Sequence, residues 1–211
     1  MSNTSTPVTS PVRKSRALAV ARVGIMIAII AVCAWVVVPY GPVPFTLQTF
    51  ALTLALCVLP PREAVAVAIG YVLVGALGLP VFSGFRGGFG VLMGYTGGYI
   101  MGYIVAMVLA SLMLHFARRS VESDMRRRRE RNIDASSKLY ALVNIGYMVL
   151  AGLIFSIVTD TVGTIWYVQV ASVGWETAFM VCIAPFIIPD VIKIIAAVAC
   201  AQALNRALNI R

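Results

Sequence analysis

Six apolar runs alternate with polar or Gly- and Pro-rich intervals along a chain of 211 residues, and this alternation sets the architecture. A helix needs about 20 apolar residues to cross the hydrocarbon of a bilayer, and fewer where surrounding protein shields its ends. The runs extend from about Ala17 to Val38, Leu47 to Leu59, Ala64 to Leu79, Phe89 to Phe116, Leu139 to Val158 and Ala178 to Leu204. Proline follows the first three, at Pro39, Pro60-Pro61 and Pro80, where the missing N–H stops a helical ladder. The second and third runs are short, which requires local thinning or irregular backbone buried against neighbours. The pattern predicts an all-α integral membrane protein of six transmembrane helices. Residues 1–16 form a polar, basic tail expected to be disordered, 17–205 a single membrane domain, and 206–211 a second tail. The first apolar run is too long for a signal-peptide core.

Composition agrees with this reading. The chain is 60% hydrophobic and only 12% charged, with a mean hydropathy of +0.92. A net charge of +9 would suggest nucleic acid in a soluble protein, but fifteen of the seventeen basic residues sit in four places: 13–22, Arg62, 118–138 and 206–211. Those are tails and loops, not a groove-reading face, so no nucleic-acid partner is expected. An even number of spans puts both termini on one side, and the positive-inside rule makes that side cytoplasmic. Every basic cluster, including the loop 117–137, then faces the cytoplasm and the membrane lipid there. Only Arg86 and Lys193 remain unexplained. Cys33, Cys57, Cys182 and Cys200 lie far apart in apolar runs, with one His, His115, so they read as buried small residues, with no metal site or disulfide.

On the outer side this topology leaves residues 41–48, 78–90 and the segment after Asp160 through Glu176. The first two are rich in Gly and Pro and suit a lid over an outward-facing pocket. Gly90, Gly94, Gly98 and Gly102 recur every four residues, which on one helix would make a groove for close packing. Gly97 and Thr96 beside them are less well explained by packing and suggest backbone groups left for a ligand. Span one carries the smaller pairs Ala17 with Ala21 and Gly24 with Ala28, either of which suits an intramembrane partner.

The stretch PFIIPDVIK sets Asp190 and Lys193 on one helical face, beside Pro189. A charge at the centre of a span costs about 2.5–3.5 kcal/mol by insertion scales, so something must compensate it. Two answers stand at this point: the pair neutralises itself or joins Asp160, or it lines a substrate or ion pathway. No GxxxxGK[ST], HExxH or GxSxG motif occurs, which removes the commonest nucleotide-binding and hydrolytic signatures. The chain is not expected to be an enzyme or to carry a cofactor.

The ordered motifs GPVPFTLQTF, GLPVFSGFRGGFGVLMGYTGGY and PFIIPDVIK resemble the BioY family, the biotin-specific S components of energy-coupling-factor transporters. The resemblance extends from about Ala17 to Leu204. It implies a six-helix, S-component-like bundle with an outer-loop lid in a prokaryotic cell membrane. It also implies biotin as ligand and, as partners, a transmembrane coupling subunit with cytoplasmic ATPase subunits. The candidate site residues are Asp190, Lys193, Asp160, Arg86, Gly97 and Trp166: Asp160 and Trp166 resemble the family's polar and aromatic wall, whereas Arg86 stands where the family has a small or amide residue and either meets the ligand's carboxylate or is a solvated loop charge. This chain departs from the family pattern at Tyr95, Pro189 and Arg86, which bears on ligand detail more than on fold. An S component for thiamine or riboflavin and a non-transporting membrane scaffold are the alternatives.

Overall fold

The computed structural model describes residues 11–130 and 137–207. The first helix, α1 (Pro11–Trp35), begins earlier than expected, with proline at its first turn, where its missing N–H is harmless. The predicted tail therefore divides: residues 11–16 are helix, and 1–10 lie outside the described residues. After α1 the chain forms a short antiparallel pair, β1 (Val37–Val38) with β2 (Phe45–Thr46), in the register Val37 to Thr46 and Val38 to Phe45. This ties the first outer loop back onto the end of α1.

Helices α2 (Gln48–Val58) and α3 (Pro61–Ala76) match the second and third apolar runs. At 11 residues, α2 is about 16 Å long, well short of the hydrocarbon thickness. Ala51, Leu52, Ala55, Leu56 and Cys57 are all buried, and α2 packs against α1, α3, α5, α6 and α8. Its apolar side chains are thus satisfied by protein on nearly every side.

The fourth run does not form one helix. It breaks after α4 (Phe89–Met93), passes through an extended Gly94, and restarts as α5 (Gly97–Glu130). The four glycines therefore do not share a helical face. Gly98 and Gly102 do pack: a Cβ on Gly98 would lie 2.2 Å from the Trp166 Cβ, and one on Gly102 would lie 3.3 Å from the Val162 Cβ. These two glycines let α5 approach α6 (Ser137–Ala171) closely. Gly90 meets nothing within 4 Å.

Nor is 117–137 simply a loop. Residues 117–130 continue α5, and 131–136 lie outside the described residues. Asp124 accepts hydrogen bonds from Tyr140 (2.7 Å) and Arg128 (3.0 Å), joining the ends of α5 and α6. Helix α6 also runs past the expected end at Val158, so Asp160 and Trp166 lie inside it and not in an outer segment.

The sixth run is broken too. A short α7 (Trp175–Cys182) is followed by non-helical residues 183–186 and then α8 (Ile187–Ala207). Pro189 sits in the first turn of α8, where it breaks no ladder bond, and Asp190 is in the same turn. Asp190 is therefore at a helix start rather than mid-helix, and its charge is favoured by the α8 dipole.

Four of these helices, α1, α5, α6 and α8, are long and apolar enough to cross a membrane. On α5, Met101, Val105, Leu109, Leu112 and Phe116 form an exposed stripe at helical spacing. An apolar face of that size is stable only against lipid or another apolar surface. Of the four cysteines, Cys57 and Cys182 are buried, whereas Cys33 is half-buried and Cys200 exposed. The expectation of burial fails for Cys200, which lies on the outward face of α8.

Candidate functional site

A cavity opens between the first outer loop, the loop after α3, and the starts of α5 and α8. Val43, Pro44, Thr46, Gln48 and Thr49 form one wall, and Phe82, Ser83, Arg86 and Val91 a second. Thr96, Tyr99, Ile100, Tyr103, Asp160, Phe186, Asp190 and Lys193 complete it. Its volume is about 50 Å³, well below the roughly 300–1,000 Å³ usual for small-molecule pockets, so a ligand of ordinary size requires the loops over it to move apart.

The loops over this space are held by specific contacts. Gln48 donates through Nε2 to the Tyr71 hydroxyl, which donates to the Val81 carbonyl at 2.8 Å. Thr46 Oγ1 donates to Gln48 Oε1 at 2.9 Å, so the first loop, α2 and α3 form one connected unit. In the second loop, Gly84 (φ +69°) and Gly88 (φ +93°) supply left-handed turns. Phe82 projects inward, with its ring 2.1 Å from where a Gly75 Cβ would stand. Phe85 projects the other way and stacks on Trp35 at 4.7 Å, while Trp35 Nε1 donates to the Pro80 carbonyl at 2.8 Å. Stacking of Phe45 on Phe186 at 4.3 Å joins the first loop to the segment before α8.

The ionic groups gather on one wall. Lys193 Nζ donates to Asp190 Oδ1 at 3.0 Å, with side chains only 13% and 9% exposed. Ser156 Oγ lies 3.2 Å from Asp190 Oδ2 and 3.4 Å from Asp160 Oδ2. A serine hydroxyl carries one proton, so it serves one of these carboxylates at a time. Two carboxylates thus share one ammonium and one hydroxyl donor. The group is short of donors on the face that lines the cavity.

Of the residues expected at the site, Asp190, Lys193, Asp160 and Arg86 line the cavity. Arg86 is exposed at the mouth, and its Nε donates to the Ser83 carbonyl at 3.1 Å. Gly97 and Trp166 lie outside the lining. A Cβ on Gly97 would fall 1.8 Å from the Leu92 carbonyl oxygen, so glycine is needed there for the α4–α5 turn, whereas its neighbour Thr96 reaches the cavity. Trp166 Nε1 donates to the Gly94 carbonyl at 3.0 Å, satisfying backbone exposed by the same break. Thr49, Ser83, Tyr99 and Tyr103 are lining residues the sequence reading did not single out. Thr49 was within reach, since it lies in the quoted TLQTF stretch at the start of an apolar run.

An apolar helical bundle that carries a buried ion pair on the wall of a loop-capped cavity is a membrane protein built to hold a small polar ligand. The chain belongs to the BioY family, whose profile matches residues 3–210. It is 33% identical to the probable biotin transporter BioY of Pyrococcus horikoshii over 190 residues, covering 90% of this chain and 98% of that one. Against the biotin transporter BioY of Thermotoga maritima it is 50% identical over 76 residues, which is 36% of this chain and 45% of the relative's length. A crystal structure of the S-component for biotin from an ECF-type ABC transporter shares the fold, with a TM-score of 0.68, 23% identity and coverage of 94% and 95% of the two chains.

Proposed function

We propose that the chain captures biotin in this cavity as the substrate-binding membrane subunit of an energy-coupling-factor transporter. The observation that carries the reading is the donor shortage at Asp190 and Asp160. Biotin's ureido ring supplies two N–H donors to the carboxylates, and its carbonyl accepts from Lys193. Arg86 at the mouth meets the valerate carboxylate. Titration of purified protein by calorimetry is expected to show one biotin bound tightly per chain. No heat with biotin, together with a clear signal for thiamine or riboflavin, overturns this in favour of an S component for another vitamin.

Six spans with both termini cytoplasmic are the topology we propose. The ends of α2, α3, α6 and α8 in Pro60, Tyr140 and Asn205 meet Arg22 and Arg118 around a second cavity, which shares no lining residue with the first. Chain reversals at alternating ends are what six spans require, and Arg22 and Arg118 stand around this second cavity, apart from Arg86 and Lys193 at the first. The function is transport, not catalysis.

For the coupling subunit, α1 offers a face. Ala17, Ala21, Gly24 and Ala28 are all exposed along one side, and a Cβ on Gly24 meets nothing within 4 Å. Small residues let helix backbones approach in lipid. Gly24→Leu is therefore expected to leave biotin affinity unchanged in detergent while lowering uptake in cells about tenfold, measured with labelled biotin and the partner subunits present.

One observation favours a structural alternative, the 3.0 Å pairing of Asp190 with Lys193. If that pair is a self-contained brace in a scaffold, replacing both residues with apolar ones leaves function intact. Our reading predicts that the double variant loses biotin uptake in cells that depend on external biotin.

A further inference from the structure

The cavity lining holds two hydroxyls that have no partner. Thr49 Oγ1 and Ser83 Oγ are both fully buried as atoms and neither makes a hydrogen bond, yet both residues face the cavity. Among the described residues Glu63, Thr159 and Thr164 also carry a buried oxygen without a partner, but none of them lines the cavity, and beside Thr49 the neighbouring polar groups are matched, Thr46 with Gln48 and Gln48 with Tyr71. A buried hydroxyl left without a partner is costly, so two on one lining indicate groups that a ligand satisfies.

Their positions differ in a useful way. Thr53, Gly152 and Ile194 meet where α2, α6 and α8 touch, with a Gly152 Cβ 3.2 Å from Thr53 Cγ2 and 2.8 Å from Ile194 Cγ2. One helical turn from that contact along each helix stand Thr49, Ser156 and Asp190. Thr49 therefore sits level with the Asp190–Ser156–Asp160 group on the cavity lining. Ser83 belongs to the other end. Its carbonyl accepts from Arg86 Nε, and Arg86 also lines an adjoining open hollow with Pro42, Gly94 and Tyr95.

We propose that Thr49 and Ser83 are ligand contacts, one for each end of the bound molecule. Resting on the biotin reading, this assigns the Thr49 hydroxyl to the ureido ring, where it donates to the carbonyl beside Lys193. Ser83 donates to the free carboxylate beside Arg86. After the carboxylates and Lys193 have matched the ring, the ligand's remaining polar groups are acceptors, and both hydroxyls can donate.

The test pairs two variants with two ligands, biotin and biotin methyl ester, whose carboxylate is blocked. Thr49→Val is expected to weaken both ligands by about tenfold, the usual worth of one buried hydrogen bond. Thr49→Ser, which keeps the hydroxyl, is expected to restore binding and so separates the hydroxyl from packing. Ser83→Ala is expected to weaken biotin by about tenfold and leave the ester within about twofold of the parent. Biotin affinity within twofold of the parent in both variants overturns the assignment while leaving the biotin reading intact. A parent protein that binds neither ligand overturns both.

Discussion

Asp190→Asn is expected to abolish high-affinity biotin capture. Asparagine keeps the shape and an acceptor oxygen but removes the charge that holds Lys193 at 3.0 Å and presents a carboxylate to the cavity. Breaking a buried pair by neutralising one partner costs about 3–5 kcal/mol, because the other charge stays buried without compensation. If that cost falls on the bound state, the dissociation constant rises by about a hundred- to a few thousand-fold. Ligand analogues that lack the ureido N–H groups should then bind parent and variant with similar weakness, since a site built around donors rejects molecules that leave its acceptors unmatched. Calorimetry measures the affinity, and a thermal melt of the ligand-free variant separates lost binding from lost fold.

Gly97→Ala is expected to damage the fold itself. The added methyl would stand 1.8 Å from the Leu92 carbonyl oxygen and 2.5 Å from its carbon, and these are backbone atoms that no rotamer change moves aside. Overpacking of this kind typically costs about 1–3 kcal/mol, and here the strain falls on the α4–α5 turn that aims Thr96, Tyr99 and Tyr103 at the cavity. The expected result is a lower melting temperature with and without biotin. Had Gly97 served the ligand through its backbone alone, the melting temperature of the free protein would be unchanged and only affinity would fall.

Apolar run length and the sites of proline made the order of membrane segments legible in the sequence. Even so, α1 begins before its predicted start, and α5 and α6 run past their predicted ends. Charge and apolarity mark where lipid stops, whereas a helix continues into water as long as its side chains allow, as the Arg-rich end of α5 does. Two breaks were not legible. Gly94 to Thr96 and Ile183 to Phe186 interrupt apolar stretches that read as continuous, because apolar composition alone does not distinguish a buried turn from a helix. Pro185 marks the second break in hindsight, while the glycine spacing of four concealed the first.

At the site, formally charged residues were legible because a charge in an apolar run demands a reason. Asp190, Lys193 and Asp160 line one cavity. Thr49 and Ser83 were not singled out, since hydroxyl residues are tolerated in membrane helices and loops without special function. Burial without a partner on the cavity lining distinguishes them, and both are properties of the fold. Trp166 shows the converse: an aromatic that suggested a ligand wall instead caps the Gly94 carbonyl.

A structure of the protein determined with biotin bound tests the central proposal most directly. The account predicts the ureido nitrogens within hydrogen-bonding distance of the Asp190 and Asp160 carboxylates, with the valerate directed past Ser83 toward Arg86. Biotin seated elsewhere, with the Asp190–Lys193 pair still closed on itself and facing no ligand atom, would contradict it.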